Sequence, residues 1–313
     1  MTSQTELCGI LPVYKPAGYT SFDVIARLRG ILHLKKLGHG GTLDPMAEGV
    51  LPVFVGSATK LVDFVPEGDK TYRATIRFGA FSDTGDKTGS LEAAALPDFS
   101  FEQLQTAARE MEGESLQIPP MYSAVKVNGR KLYDLARAGI TVERQARKIF
   151  VHRFLILSYE EETKTAVAEI RCSKGSYVRV LAEDLAKKCG TGAYLTGLVR
   201  TEAMGFTESD CHTPDEIKSA VEAGRLSDLL LSAERPFLGA YGVCLNARQE
   251  KLFRNGSKLP LSELKDVFGK EPKFEDSPLP VFGAAGLLGM GERREEEDVM
   301  RIRRLFHLQK ETE

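Results

Sequence analysis

The sequence contains no tryptophan, only five histidines and five cysteines, and no long hydrophobic run. Because a membrane-spanning helix needs roughly 18 to 20 consecutive apolar residues, we expect none here. The N-terminal stretch, MTSQTELCGI, also lacks the basic and apolar regions of a signal peptide. These absences lead us to expect a cytoplasmic protein with no membrane attachment.

The cysteines and histidines give no sign of a disulfide framework or a zinc site. The number of cysteines is odd, no two of them form a C-x-x-C pair, and the histidines are scattered along the chain. We therefore expect a protein without a bound metal. The cysteines are Cys8, Cys172, Cys189, Cys211 and Cys244.

Size and composition are those of a globular protein. With 313 residues, of which 42% are hydrophobic and 8% aromatic, the chain can form one large domain and a small one. The net charge of −2 favours neither an anionic nor a cationic partner. The charges are nevertheless unevenly distributed, because two basic stretches flank a mainly acidic one at 92–114. Such basic stretches fit either a nucleic-acid contact or solvated faces, and they comprise Arg27, Arg29, Lys35 and Lys36, then Lys126, Arg130, Lys131, Arg137, Arg144, Arg147, Lys148 and Arg153.

The hydrophobic patterns predict strands and helices in irregular order, which indicates an α+β fold. GILPVYK predicts a strand, and SFDVIARLRGIL predicts a helix capped by Thr20 or Ser21. The strict alternation in TYRATIRF predicts a half-buried strand with Tyr72 facing inward. IFVHRFLIL and TAVAEIRC predict two more strands, and SYVRVLAEDLAKKCG predicts a helix capped by Ser176 that ends at Gly190. From about residue 233, short apolar runs separated by glycines predict a small β-rich domain.

One aspartate stands out in the loop segment GHGGTLDPMAEGVLP, residues 38–52. Glycines at 38, 40 and 41 allow unusual backbone conformations, and Pro45 favours an extended Asp44, so the turn would present that carboxylate rigidly. An ordinary Asp-Pro turn would look the same. A phosphate-binding loop is not favoured, because neither glycine-rich nucleotide motif is present. A glycosidase pair of Asp44 and Glu48 would need a helix at once, which Gly49 opposes.

Three further polar or aromatic residues each fit two roles. Tyr177 and Arg179 would lie in the first turn of a helix, where the guanidinium could pair with a carboxylate. Arg179 could equally be a surface arginine, and Tyr177 and Tyr72 could be core residues.

Six segments follow one another along the chain: YKPAGYTS, GHGGTLDPMAEGVLP, DKTYRATIRFG, QIPPMYSAVKVNGRKLYDLARAG, CSKGSYVRVLAEDLA and LTGLVRT. In this order and at these separations they resemble the bacterial TruB family of tRNA pseudouridine synthases. The resemblance covers residues 9–204, and a looser one relates the C-terminal part, through KLFRNGSKLPL and GLLGMGE, to the PUA domain of many members. The resemblance implies a catalytic domain at 1–235 with the pseudouridine synthase fold, in which helices flank a mixed, largely antiparallel sheet. It also implies a PUA-like RNA-binding domain at 236–313.

The resemblance implies an enzyme that isomerises the T-loop uridine at position 55 of tRNA to pseudouridine. The base is flipped out of the loop, detached at N1, rotated and rejoined to the ribose through C5. The implied partner is the T arm of tRNA, bound by a monomer that needs no metal, ATP, redox cofactor or obligate protein partner.

Eight residues match functional positions of the family. The resemblance implies that Asp44 is the catalytic aspartate, acting as nucleophile or base, that Tyr72 stacks on the base, and that Arg179 pairs with the aspartate. The substrate-binding positions are Lys15 and Pro16 beside the active site, and Tyr177 and Leu198 in the uracil pocket. The fifth is His39, which would stack within the rearranged T-loop of the bound tRNA.

Two positions depart from the family pattern. Gly40 stands where threonine is frequent, and Glu48 stands where a small or hydroxylated residue is common. Because a carboxylate beside an RNA phosphate would be unfavourable, we expect the Glu48 side chain to point away from the substrate.

Three functions besides a stand-alone isomerase are compatible with these motifs. Relatives of this fold work inside guide-RNA particles, but the short N-terminal extension favours a stand-alone enzyme. The second is a non-catalytic RNA-folding factor, which the intact Asp44, Tyr72 and Arg179 do not favour. The third is a hydrolase that would release free uracil, whereas isomerisation releases nothing.

Overall fold

The computed structural model describes residues 7–66, 68–127, 129–274, 278–294 and 297–306. Parts of the predicted C-terminal domain, 275–277, 295–296 and 307–313, lie outside the described residues. Residues 1–6, which belong to the N-terminal stretch without signal-peptide features, also lie outside the described residues.

The described residues form six α-helices and nineteen strands, with five short 3₁₀ helices between them. The α-helices are α1 (Ser21–Leu32), α2 (Phe101–Arg109), α3 (Leu132–Arg137), α4 (Val178–Lys188), α5 (Pro214–Glu222) and α6 (Ala247–Arg254). The strands are β1 (Gly9–Lys15), β2 (Leu37–His39), β3 (Glu48–Val55), β4 (Lys70–Phe78), β5 (Ala80–Ser82), β6 (Leu91–Ala93), β7 (Gly113–Gln117), β8 (Lys126–Val127), β9 (Arg130–Lys131), β10 (Arg147–Glu160), β11 (Thr165–Cys172), β12 (Ala193–Ala203), β13 (Phe206–Thr207), β14 (Val243–Cys244), β15 (Leu259–Pro260), β16 (Lys265–Asp266), β17 (Leu279–Gly283), β18 (Gly286–Arg294) and β19 (Val299–Leu305).

A nine-stranded sheet forms the centre of the molecule, in the order β1-β3-β12-β4-β11-β10-β7, with β2 on β3 and β13 on β12. All its pairs are antiparallel except β12 with β3, so the expectation of a mixed, largely antiparallel sheet is confirmed. Helices α2 and α4 pack with β4, β10, β11 and β12 in one core, and α1 and α5 pack with β1 and β3 in another. The α+β class is therefore confirmed.

Strand β4 shows why the local pattern was informative. Tyr72, Ala74, Ile76 and Phe78 are buried, while Arg73 and Arg77 are exposed, as the alternation predicts. In the register with β12, Tyr72 lies opposite Arg200 and Ala74 lies opposite Leu198. The central position of β4 thus brings inward-facing residues of two strands together.

A second sheet of six strands, in the order β15-β19-β18-β17-β14-β16, contains all the described strands after residue 242. It has its own core with Phe253 of α6, and it shares a further core with the large sheet, where Phe306 and Leu287 join Phe54 and Phe237. This sheet forms the β-rich C-terminal part that the sequence predicts. No helix among the described residues is long and apolar enough to span a membrane.

Two local predictions were wrong in detail. Helix α4 begins at Val178 with Tyr177 as its N-cap and without a side-chain cap, so Ser176 does not cap it. The segment at 38–52 is not all loop, because β2 includes His39 and β3 begins at Glu48. The first difference arises because the Tyr177 amide is bonded to a residue sixty positions earlier, Gln117.

Candidate active site

Asp44 lies in the short loop between β2 and β3, and this loop is fixed to the start of α1. The Leu43 amide donates to the Ser21 hydroxyl at 2.9 Å, and the Ala47 amide closes a turn onto the Asp44 carbonyl at 3.1 Å. Gly41 adopts a φ of 73°, a conformation that favours glycine. The loop therefore presents the Asp44 side chain from a fixed backbone, as the sequence predicts.

Arg179 holds the Asp44 carboxylate through a salt bridge in which Nε lies 2.9 Å from Oδ2. Its Nη1 and Nη2 atoms each donate at 2.8 Å to a backbone carbonyl, of Thr84 and Tyr122 respectively. Only 4% of the Arg179 side chain is exposed, against 37% for Asp44. Arg179 is thus a buried residue, not a surface arginine, and the carboxylate that it pairs with is partly accessible.

A cavity of about 100 Å³ opens beside this salt bridge. Five of the eight predicted site residues line it, from four different elements or loops, which the central sheet and α4 bring together. The lining residues are Thr42, Leu43, Asp44, Ala47, Tyr72, Ser176, Tyr177, Val178, Arg179 and Leu198.

Tyr72 presents a neutral hydroxyl in this cavity. Burial raises the pKa of Tyr72 to about 12, and the positive charge of the adjacent Arg200 opposes that rise. The phenol therefore stays protonated at neutral pH, when it can donate a hydrogen bond. Its aromatic ring supplies a flat surface that suits a stacked base, and the Leu198 side chain adds apolar surface to the same cavity.

Arg200 is the main residue that the sequence reasoning missed. It is completely buried, and its guanidinium donates to the carbonyls of Val50 at 2.9 Å, Gly41 at 2.9 Å and Thr42 at 3.4 Å. These carbonyls belong to the Asp44 loop and the strand that follows it. The sequence did contain a sign that Arg200 lies near the site, because strand alternation puts Arg200 on the same face as Leu198.

Lys15 and Pro16 lie behind the Asp44 loop and do not line the cavity. Lys15 is fully buried and donates to the carbonyls of Pro16, Tyr19 and Pro45 at 3.0, 2.6 and 3.3 Å. Burial lowers the pKa of Lys15 to about 8, although the negative charge of Asp44 raises it. The lysine therefore ties the end of β1 to the residue that follows the aspartate.

His39 also lies outside the cavity lining, at the end of β2. Its Nδ1 atom is buried and has no hydrogen-bond partner among the described residues. Burial lowers the pKa of His39, and the positive charge of Arg200 adds to this effect. Both effects favour the uncharged form, so the His39 imidazole is neutral at neutral pH.

Glu48 does not form a carboxylate pair with Asp44. The Tyr14 hydroxyl donates to the Glu48 carboxylate at 3.2 Å, and Glu48 lies at the start of a strand and not on a helix. Its side chain is not part of the cavity lining, which agrees with the expected orientation away from the substrate. The glycosidase arrangement is therefore not formed.

Tight packing explains why residue 40 is a glycine. A Cβ atom at this position would lie 2.5 Å from the Met204 sulfur and 3.2 Å from the Phe54 ring. Threonine, frequent here in the family that the sequence resembles, does not fit beside Met204 as it stands. Gly38, by contrast, would meet its nearest neighbour at an ordinary 3.7 Å.

Metal ligands are not grouped anywhere in the described part of the chain: no three His, Cys, Asp or Glu residues there lie close enough together to hold an ion. The chemistry available at the cavity is that of a carboxylate, a buried guanidinium and a neutral phenol.

Solved structures with this fold include a Cbf5-Nop10-Gar1 complex and an H/ACA RNP bound to a substrate RNA containing 2'-deoxyuridine. The first matches with a TM-score of 0.74 and 23% identity, the second with 0.72 and 20%. Each match covers 95% of this chain and 84% of the other. At these identities the likeness shows the pseudouridine synthase fold.

The sequence itself matches the model of the TruB family pseudouridylate synthase (N terminal domain) over residues 29–178. The tRNA pseudouridine synthase B of Lactococcus lactis subsp. lactis (strain IL1403) is 42% identical over 260 residues, covering 81% of this chain and 79% of the relative. That of Hydrogenovibrio crunogenus is 37% identical over 305 residues, covering 97% and 95%. At such identity over nearly whole chains, this protein belongs to the tRNA pseudouridine synthase B family.

Proposed function

We propose that this protein isomerises the uridine at position 55, in the T-loop of tRNA, to pseudouridine, with Asp44 as the catalytic group. As a member of its family the chain is a pseudouridine-forming isomerase. The observation that carries the assignment of the site is the salt bridge between Asp44 and the buried Arg179, at a cavity lined by Tyr72, Tyr177 and Leu198.

The cavity is narrow, so the target base must leave its stack to reach Asp44. Flipping a nucleotide costs a few kcal/mol, and contacts with the flipped base and the RNA backbone offset that cost. Tyr72, Tyr177 and Leu198 all line the cavity and can contact the uracil ring. We propose that His39, which is neutral and lies at the end of β2, stacks within the rearranged T-loop.

Asp44 can act at the flipped nucleotide as a nucleophile or as a base. In either role the negative charge must be available at the sugar or the uracil ring, and the fixed loop and the salt bridge with Arg179 support that role by holding the carboxylate in one position. We assign Tyr72 the stacking role and assistance in proton removal at C5: its neutral phenol can take the C5 proton only while it passes its own hydroxyl proton to an acceptor such as the Asp44 carboxylate. Lys15, bonded to Pro16 and Pro45, keeps the loop in place.

The remaining parts of the proposal concern partners and domains. We propose that residues 1–235 form the catalytic domain and 236–313 a PUA-like RNA-binding domain, supported by the separate six-stranded sheet. We further propose that the protein binds the T arm of tRNA as a monomer in the cytoplasm, without an obligate protein partner. The basic residues around β8 and β9 are candidates for phosphate contacts.

The test uses an unmodified tRNA transcript with tritium at C5 of its uridines, with chelator present and no cofactor. The wild type should release tritium from the T-loop without free uracil, and Asp44→Asn should be roughly 10²- to 10⁴-fold slower or inactive. Asp98→Asn, the same change on an exposed loop, should behave as the wild type. Release of free uracil, tritium from another position, or full activity of Asp44→Asn would overturn the proposal.

A further inference from the structure

Gln117, the last residue of β7, holds the backbone of Tyr177 at both of its polar groups. The Tyr177 amide donates to Gln117 Oε1 at 2.7 Å, and Gln117 Nε2 donates to the Tyr177 carbonyl at 3.2 Å. The Gln117 side chain is 4% exposed. A buried amide that satisfies both a donor and an acceptor of one residue fixes the position of that residue.

This contact replaces a cap that helix α4 cannot supply itself. Helices α1, α2, α5 and α6 each begin with a capping box, in which the third helical side chain accepts from the N-cap amide. Helix α4 has Val180 at that position, and its N-cap, Tyr177, has no side-chain cap. Gln117 therefore plays the part of the missing acceptor from sixty residues earlier in the chain.

The first turn of α4 carries two residues of the proposed site. Tyr177 and Arg179 both line the cavity, and Arg179 also binds the Tyr122 carbonyl five residues after Gln117. A displaced helix start would move Tyr177 directly and would shift the guanidinium that holds Asp44. The segment that leaves β7 at Gln117 is thus joined by three hydrogen bonds to the start of α4, two at Tyr177 and one at Arg179.

We propose that Gln117 is a positioning residue for the isomerisation, which sets the start of α4 and so the placement of Tyr177 and Arg179. The proposal rests on the proposed function of this site. Gln117 itself does not line the cavity, so it acts through Tyr177 and Arg179.

Gln117→Glu gives a test that depends on protonation. A carboxylate can accept from the Tyr177 amide but cannot donate to the Tyr177 carbonyl, whereas a protonated carboxyl can do both. Burial of this position and the facing Tyr177 carbonyl both disfavour the charged form, so we expect the pKa of the introduced carboxyl to be raised above its ordinary range. The single-turnover rate of Gln117→Glu, relative to wild type at the same pH, should then rise at least tenfold between pH 8.5 and pH 5.5. Affinity for tRNA should change little relative to wild type over that range.

Gln105→Glu is the matched control. Gln105 Oε1 also accepts from a backbone amide, that of Ile156 at 3.0 Å, but its buried Nε2 has no partner among the described residues. Replacing it by a carboxylate keeps the one bond that exists, so its rate relative to wild type should be flat with pH. A flat ratio for Gln117→Glu, or a defect confined to tRNA affinity, would overturn the proposal.

Gln117→Met, which is uncharged and removes both bonds, covers the case in which the glutamate variant does not fold. We expect a rate at least tenfold lower at every pH and exchange of the Tyr177 amide hydrogen at least tenfold faster than in wild type. Amide exchange is measured without substrate, so it tests the positioning contact even if the wild type forms no pseudouridine. Unchanged Tyr177 exchange and unchanged rate would contradict the inference, whereas an inactive wild type would contradict the proposed function.

Discussion

Nε of Arg179 lies 2.9 Å from Oδ2 of Asp44, while the other two nitrogens of the same guanidinium are bonded to backbone carbonyls. The cation is therefore fixed at three points on three segments of the chain. Asp44, whose side chain is the more exposed of the two, takes its position from a partner that cannot move freely. The geometry of the guanidinium, and not its charge alone, defines where the carboxylate lies.

Arg179→Lys should keep the positive charge at this position but strongly lower the rate of isomerisation. A single ammonium cannot reach Asp44 and two carbonyls in different directions, so we expect a rate on the order of 10²-fold lower or worse, with tRNA affinity nearly unchanged. Single-turnover tritium release and filter binding measure the two quantities. Arg109→Lys, the same change at an exposed position of α2, should have the wild-type rate. Retention of more than a tenth of the wild-type rate would show that charge alone suffices.

Arg200→Lys should weaken both the fold and the Asp44 loop. The lysine would leave one or two of the buried carbonyls of Gly41, Thr42 and Val50 without donors, at a cost of roughly 2 to 4 kcal/mol in the free energy of unfolding. Urea unfolding measures this cost. Arg73→Lys in β4, where the arginine is 48% exposed, should change that free energy by less than about 0.5 kcal/mol. Equal effects at the two positions would contradict the structural role of Arg200.

Lys15→Met should alter how stability depends on pH. The pKa of Lys15 is about 8 in the folded protein and near its ordinary 10.5 when unfolded, so the unfolded state binds more protons between these values. Stability of the wild type should therefore rise relative to Lys15→Met from about pH 8 to 10.5, by up to roughly 3 kcal/mol. Denaturant unfolding at several pH values measures the difference. Lys187→Met, at an exposed lysine, should give a flat difference from wild type; a flat or falling difference for Lys15→Met would refute the assignment.

Gly40→Ala should destabilise the protein, and Gly38→Ala should not. The added methyl group at 40 meets the Met204 sulfur at 2.5 Å, whereas that at 38 finds ordinary contacts. Because the Met204 sulfur and methyl are the mobile end of a flexible side chain and can shift, we expect a cost of no more than about 1 kcal/mol at position 40, measured by thermal or urea unfolding. Met204→Ala in the same chain should recover part of that cost, because it removes the obstructing atoms. A purely additive double variant would show that the clash with Met204 is not the cause.

Patterns that act over a few residues were readable in the sequence. The alternation in β4 placed Tyr72 inward, and the Thr20 cap placed the start of α1, because pleating and helix capping depend on neighbours in the chain. The rigid presentation of Asp44 was also predictable, although only Gly41 of the three glycines there uses a left-handed conformation. The resemblance to a family added the roles of eight residues, which remain predictions.

The tertiary structure decided which of those eight residues meet. Five of them line one cavity, while Lys15 and Pro16 lie behind the Asp44 loop and His39 lies at its edge. Sequence separation carries no information about this arrangement, because it follows from the order of strands in the sheet and the packing of α4 against them.

Contacts between distant parts of the chain account for what the sequence did not reveal. Ser176 was predicted to cap α4, but the Tyr177 amide is bonded instead to Gln117, which no local pattern identifies. Arg200 was similarly overlooked, since a buried arginine is tolerated only where several carbonyls converge on it. The sequence by itself thus determined four strands of the large sheet (β1, β4, β10 and β11), helices α1 and α4 apart from the cap of α4, and the presentation of Asp44. Only the tertiary structure decided the partners of the buried polar groups, because those partners become neighbours only when the sheet has formed.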